Sequence, residues 1–74
     1  METPIHSFGF TFFAQADPRD DGWTSRVDVV TGIGQIRRFR TQRIFHSRAE
    51  AAEEAARKVR ELELILRSML LRGR

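Results

Sequence analysis

The sequence predicts an α+β fold, in which a three-stranded antiparallel β-meander is followed by one long C-terminal α-helix packed on one face of the sheet. Two patterns predict it. Residues 8–45 alternate apolar and polar side chains with a period near two, and turn residues divide them twice. Residues 48–71 contain no Gly or Pro and repeat apolar residues at helical spacing. Short connections favour antiparallel neighbours, and a chain of 74 residues allows one domain.

The first strand is predicted over residues 8–16, after a flexible leader over residues 1–7 that contains Pro4. Alternate residues of this strand are apolar and share one face: Phe8, Phe10, Phe12, Ala14 and Ala16. Phe13 breaks the alternation, which leaves either a strand that is apolar on both faces or a bulge. Residues 17–22 combine Asp, Pro and Gly, which predicts a turn. The single β-β-β-α domain is therefore expected over residues 8–74.

The second and third strands are predicted over residues 23–30 and 36–45. Large apolar residues of the second strand, Trp23, Val27 and Val29, share the face that should meet the core. Residues 31–34 contain two glycines and predict a tight reversal. In the third strand Phe39 and Phe45 fall on one face while Ile36 and Ile44 fall on the other, so we expect a kink near residues 41–42.

The helix is predicted to run from Arg48 to about Leu71. Ser47 and Glu50 have the spacing of a capping box, which satisfies backbone N–H groups at a helix start. A buried stripe is expected along this helix at spacings of three and four, through Ala52, Ala55, Ala56, Val59, Leu62, Leu66 and Met69 or Leu70.

The predicted helix is longer than the strands that it covers. About 24 residues span roughly 36 Å as a helix, whereas an eight-residue strand spans about 27 Å. The second half of the helix is apolar around most of its circumference, and the chain has no cysteine to stabilise a small core. We therefore expect a homodimer whose interface includes Leu62, Leu64, Ile65, Met69 and Leu71. Two alternatives are that the leader covers these residues or that the helix lies on a membrane surface.

Positive charge is concentrated in the middle of the chain. The formal net charge is +3, and residues 32–48 contain five arginines and no acidic residue. Such a stretch could contact nucleic-acid phosphates through Arg37, Arg38, Arg40 and Arg43, with Phe39 stacking on a base. The alternative is a solvated strand face whose arginines balance the acidic first half, with Asp28 pairing across the ladder.

The residues that usually carry catalysis or bind metals are few. There is no cysteine and there are two histidines, His6 and His46, without partners at a motif spacing. We therefore expect no enzyme, no catalytic residue, no metal and no cofactor. No apolar run reaches the 18 residues of a membrane helix, and the first residues lack an export signal, so the expected compartment is the cytoplasm.

The order of elements resembles one known family. An apolar strand, an acidic turn ending in Gly22 and Trp23, two further strands, and a helix that opens with Ser47 followed by Glu and Ala together resemble the HicB-like partial double-stranded-RNA-binding fold over residues 8–66. The Pro-Asp-x-x-Gly stretch of that family is absent, and we expect no separate DNA-binding domain after the helix. The resemblance implies an antitoxin-like or regulatory role. The sequence thus predicts a small non-enzymatic interaction module, with nucleic-acid binding as the alternative.

Overall fold

The protein, described by a computed structural model over residues 4–72, has four strands and one helix. The elements are, in chain order, β1 (Ile5–Ser7), β2 (Phe10–Arg19), β3 (Gly22–Val30), β4 (Ile36–Arg40) and α1 (Arg48–Arg72). The strands form one antiparallel sheet in the order β1-β2-β3-β4, and α1 packs against β2 and β3. The predicted α+β class, meander order and C-terminal helix are confirmed.

The expectation of three strands was wrong, because residues 5–7 form β1 within the segment expected to be a leader. Phe8 and Gly9 connect β1 to β2, with φ angles of 53° and 79°. Two consecutive residues with positive φ are typical of the type I′ turn of two-residue hairpins, which tolerates Gly far better than Phe. Phe8 therefore lies in a turn, although its spacing from Phe10 had placed it in a strand. Residues 1–3 of the expected leader lie outside the described residues.

The hairpin of β2 and β3 is longer than predicted. The ladder continues past Ala16 to the pair Arg19 and Gly22, so that only residues 20–21 form the turn. Pro18 is accommodated within β2 because β1 pairs only with residues 10–12, which leaves the far end of β2 unpaired on that side. The acidic turn was thus correctly located but is shorter than the six residues expected.

The predicted third strand ends earlier than residue 45. β4 stops at Arg40, and the Thr41 N–H still donates to the Ser25 carbonyl at 3.1 Å. The chain then rejoins β3 at Phe45, which exchanges backbone hydrogen bonds of 2.9 and 2.7 Å with Trp23. An undisturbed ladder would set residue 43 opposite Trp23, so two extra residues are accommodated between Thr41 and Phe45. This irregularity replaces the expected kink.

The helix begins where the capping box predicts. The Glu50 N–H donates to the Ser47 Oγ at 3.2 Å, and that hydroxyl donates to the Glu50 carboxylate at 3.4 Å. The Glu50 carboxylate therefore accepts from the side chain of Ser47, whereas in a standard capping box it accepts from the backbone N–H of that residue. The expected span of residues 48–71 matches the observed helix to within one residue.

The core lies between α1 and the two central strands. Ala51, Ala55 and Val59 are buried on successive turns of α1, and Ala55 and Val59 pack with the buried side chains of Phe12, Val27 and Val29. Alanine at the first two positions lets the helix approach β3 closely enough for the Ser25 hydroxyl to donate to the Ala51 carbonyl at 2.5 Å. The core is thus tight near the start of α1. Near its end, Leu62 and Leu66 are only partly buried.

Candidate interaction surfaces

The last turns of α1 carry large apolar side chains that the sheet does not cover. We define the helix-end surface as the five residues that are each at least half exposed there: Leu64 (64%), Ile65 (52%), Met69 (62%), Leu70 (54%) and Leu71 (68%). Four of the five residues predicted for a dimer interface belong to it. The fifth, Leu62, is half-buried against the core. Leu70 was not among the residues predicted for the interface. The sequence pattern had offered it, or Met69, as the end of the buried stripe.

The helix-end surface exists because α1 extends beyond the sheet. A helix of 25 residues spans about 37 Å at 1.5 Å per residue, and the molecule is 46 Å long but 21 by 18 Å across. The apolar stripe of α1, which is buried in its first half, continues from the half-buried Leu66 to Met69, which is exposed. Contiguous apolar patches of this kind are uncommon on monomers and are typical of interaction sites.

The four arginines proposed for nucleic-acid contact do not share one face. Arg37 pairs with Val29 and therefore lies on the helix side of the sheet, with Phe39. Arg38 and Arg40 lie on the opposite side, which we call the open face. Arg43 follows β4, and its guanidinium lies 5.0 Å from the centroid of the Phe45 ring. The structure therefore brings only Arg38 and Arg40 together.

Acidic side chains neutralise part of the open face. The Arg38 Nε donates to Asp28 at 2.8 Å, which confirms the expected pairing across the ladder. This hydrogen bond raises the pKa of the Arg38 guanidinium above its usual value. Arg26 lies 3.4 Å from Asp17 and 3.5 Å from Asp28. Within residues 4–72, Arg37 and Arg40 form no ion pair, so two cations of β4 remain available.

A groove separates β4 from α1 because the helix sits over β2 and β3. We define the edge groove as the apolar cavity of about 120 Å³ whose lining includes Phe10, Phe39, Leu62 and Ile65, with Arg37 at its border. A second, more polar hollow of about 150 Å³ shares Phe39 with the edge groove, and its lining also includes Arg40, Glu54 and Lys58. The edge groove was not predicted from the sequence, although the alternation of the strand already placed Arg37 and Phe39 on one face.

Two kinds of feature are not found among the described residues. Among residues 4–72, no three His, Asp or Glu side chains come together in a way that could hold a metal ion. No helix in the same range has the length and apolarity needed to cross a membrane. No protein-family model, curated protein or solved structure matches this chain.

Proposed function

We propose that the protein is a non-enzymatic interaction module that acts as a homodimer, joined through the helix-end surface. The observation that carries the proposal is the exposure of five large apolar residues on the last turns of α1. Leu64 and Leu71, one heptad apart, lie on the same side of the helix, whereas Met69 continues the buried stripe. A flat partner surface would cover either the side with Leu64 and Leu71 or the side with Met69. A second copy can contact both sides, because it offers a helix and a sheet.

A second copy is favoured as the occupant by the size and composition of the chain. A domain of 74 residues without cysteine buries a small core, and seven apolar residues are buried within residues 4–72. Association of two helix ends would add apolar burial at the place where each copy has least. The HicB-like resemblance, an antitoxin-like or regulatory role and a cytoplasmic location belong to this proposal.

The test is the molar mass in solution together with a matched pair of substitutions. Sedimentation equilibrium at micromolar concentration should give twice 8.6 kDa. Leu64→Glu should shift the mass towards the monomer, because a charge on a buried apolar interface is costly. Ile33→Glu is the control, since Ile33 is 82% exposed in the loop between β3 and β4. A mass of 8.6 kDa at every concentration, or equal dissociation by both substitutions, contradicts the proposal.

Nucleic-acid binding through Arg37, Arg38, Arg40 and Arg43 is the second candidate, and it has less support. The four arginines lie on different faces, and Asp28 occupies Arg38. If the arginines bind phosphates, affinity for RNA or DNA should fall steeply with salt, by a slope of about 0.7 to 0.9 per contact on logarithmic axes. If binding is weak at physiological salt and the double substitution Arg38→Ala/Arg40→Ala does not change it, the arginines do not bind nucleic acid and form a solvated strand face.

A further inference from the structure

Among the residues that the structure describes, 4–72, the outer edge of β4 carries backbone groups without hydrogen-bond partners. Hydrogen-bonded positions alternate along an antiparallel ladder. Thr41 donates to Ser25 at one end of β4, and at the other end Thr31 donates to Gln35. Positions 37 and 39 therefore bond to β3. Positions 36, 38 and 40 direct their N–H and C=O groups outward, where an additional strand could pair with them.

The two faces beside this edge differ in chemistry. On the helix side lies the edge groove, whose lining is apolar apart from Arg37 and whose volume suits one large aliphatic side chain. On the open face lie Arg38 and Arg40, and Arg40 forms no ion pair within residues 4–72. A strand added to β4 would alternate its side chains between these two faces.

We propose that β4 is a docking edge for an extended acidic peptide segment of a partner protein, which adds to the sheet as a fifth strand. Alternate residues of that segment are apolar and enter the edge groove between Phe39 and Ile65. The residues between them are acidic and face Arg40, which forms no ion pair within residues 4–72, whereas the neighbouring Arg38 is already paired with Asp28. This proposal does not rest on dimerisation, because β4 and the edge groove share only Ile65 with the helix-end surface.

A second copy of this chain fits the edge poorly. Two β4 strands related by a two-fold axis would set arginines opposite arginines, because three of their five residues are arginine. Pairing β4 of one copy with β1 of another would use a strand of only three residues and would generate an open chain of copies. Charge complementarity therefore favours a foreign, acidic strand.

Nucleic acid also fits less well than a peptide. Phe39 lies beside an apolar cavity on the helix side, away from the face that carries Arg38 and Arg40. A stacked base and its phosphates would have to reach both sides of the sheet at once. An extended peptide places its side chains alternately on the two faces of the sheet, so that any two successive residues reach both faces.

The test is fluorescence anisotropy with labelled probes and charge-matched variants. The probe is a short peptide of alternating Val and Glu, and its control has the same composition with all Val before all Glu. We expect the alternating peptide to bind about fivefold tighter than the control, as one or two favourable cross-strand contacts imply. Equal binding of the two peptides overturns the proposal, because net charge alone would then explain the affinity.

Charge reversal locates the site on the protein. Arg40→Glu should weaken binding of the Val-Glu peptide about fivefold and should improve binding of a Val-Lys peptide. Arg60→Glu changes the net charge equally on the exposed side of α1, away from β4, and should have little effect. Equal loss from both variants overturns the proposal. Tighter binding of a single-stranded RNA oligonucleotide than of the peptide, with the same loss in Arg40→Glu, also overturns it, in favour of nucleic acid.

Backbone pairing is tested by removing one outward N–H. Arg38→Pro should bind the peptide about fivefold more weakly than Arg38→Gln, since both lack the charge but only proline lacks the donor. Circular dichroism and the urea midpoint establish that both variants fold. Equal binding of two folded variants overturns strand addition. If Arg38→Pro does not fold, the comparison of Arg40→Glu with Arg60→Glu decides.

Discussion

Gly22 is the position at which the smallest substitution should destabilise the fold most. Its φ is 148°, a conformation that residues with a Cβ rarely adopt, and it lies where β3 begins. A Cβ at this position would come within 2.4 Å of the Phe45 carbonyl oxygen and 2.7 Å of Ile44 Cγ2. The first of these is a backbone atom, so no side-chain rotation can relieve the contact. Gly22→Ala must therefore push the segment before α1 away from β3.

The cost can be worked from the contacts that would move. An unfavourable backbone conformation costs about 1 to 3 kcal/mol. Displacing Phe45 breaks its two backbone hydrogen bonds to Trp23, each worth about 0.5 to 1.5 kcal/mol. We therefore expect Gly22→Ala to lower the free energy of unfolding by about 4 kcal/mol. This is most of the stability of a small domain, which is about 5 kcal/mol at the lower end of the usual range.

Two other glycines separate the conformational cost from the steric cost. Gly9 has a φ of 79° but no atom within 4 Å of its would-be Cβ, so Gly9→Ala should cost about 1 kcal/mol. The would-be Cβ of Gly32 lies 3.8 Å from its nearest neighbour, the Gly9 carbonyl oxygen, and Gly32→Ala should cost nearly nothing. Urea unfolding at one fixed protein concentration measures all three, followed by far-UV circular dichroism and the fluorescence of Trp23. A loss in Gly22→Ala no larger than that in Gly9→Ala would refute the steric reasoning.

Three further substitutions test the helix and its packing, all by urea unfolding. Ser47→Ala should cost about 1 kcal/mol, because the Glu50 N–H loses its acceptor. An unchanged midpoint would show that the Ser47 cap does not stabilise the helix. Val59→Ala should cost about 2 kcal/mol, since two fully buried methyl groups are lost and a cavity remains; a cost below that of an exposed-site control would show that Val59 is not packed as described. Ser25→Ala should cost about 1 kcal/mol through loss of the buried bond to α1, and a neutral result would mean that this bond adds no net stability.

Local chemistry explains which elements the sequence predicted well. The helix follows from a capping box and an uninterrupted run of helix formers, and both signals are contained within the element itself. The first and third strands were misjudged at their ends because their limits depend on other strands. Phe8 leaves the strand pattern only because residues 5–7 fold back on β2, and Phe45 is drawn to Trp23 two residues out of register.

The candidate surfaces divide in the same way. The exposed helix end could be predicted because it follows from the lengths of the helix and the strands, and the number of residues in each element gives these lengths. The edge groove could not, since it arises from the lateral position of α1 over β2 and β3, and no periodicity within the helix reports that position. The division of the arginines between two faces was half visible, because period two separates Arg38 and Arg40 from Arg37, whereas Arg43 lies beyond the end of β4.

The meander order has a consequence for the rate at which the chain folds. Every strand pairs with its neighbour in the chain, through connections of two, two and five residues. Hairpins closed by such short loops form in about 1 to 10 μs. The contact of α1 with β2 instead joins distant segments, as Phe12 and Val59 show, and closing that long loop comes at a larger entropic cost. Docking of the helix on a preformed sheet is therefore expected to limit the refolding rate. Substitutions that weaken the turns should then mainly slow refolding, because the turns are already formed when the helix docks, whereas Val59→Ala should also speed unfolding in so far as its contacts form after the transition state.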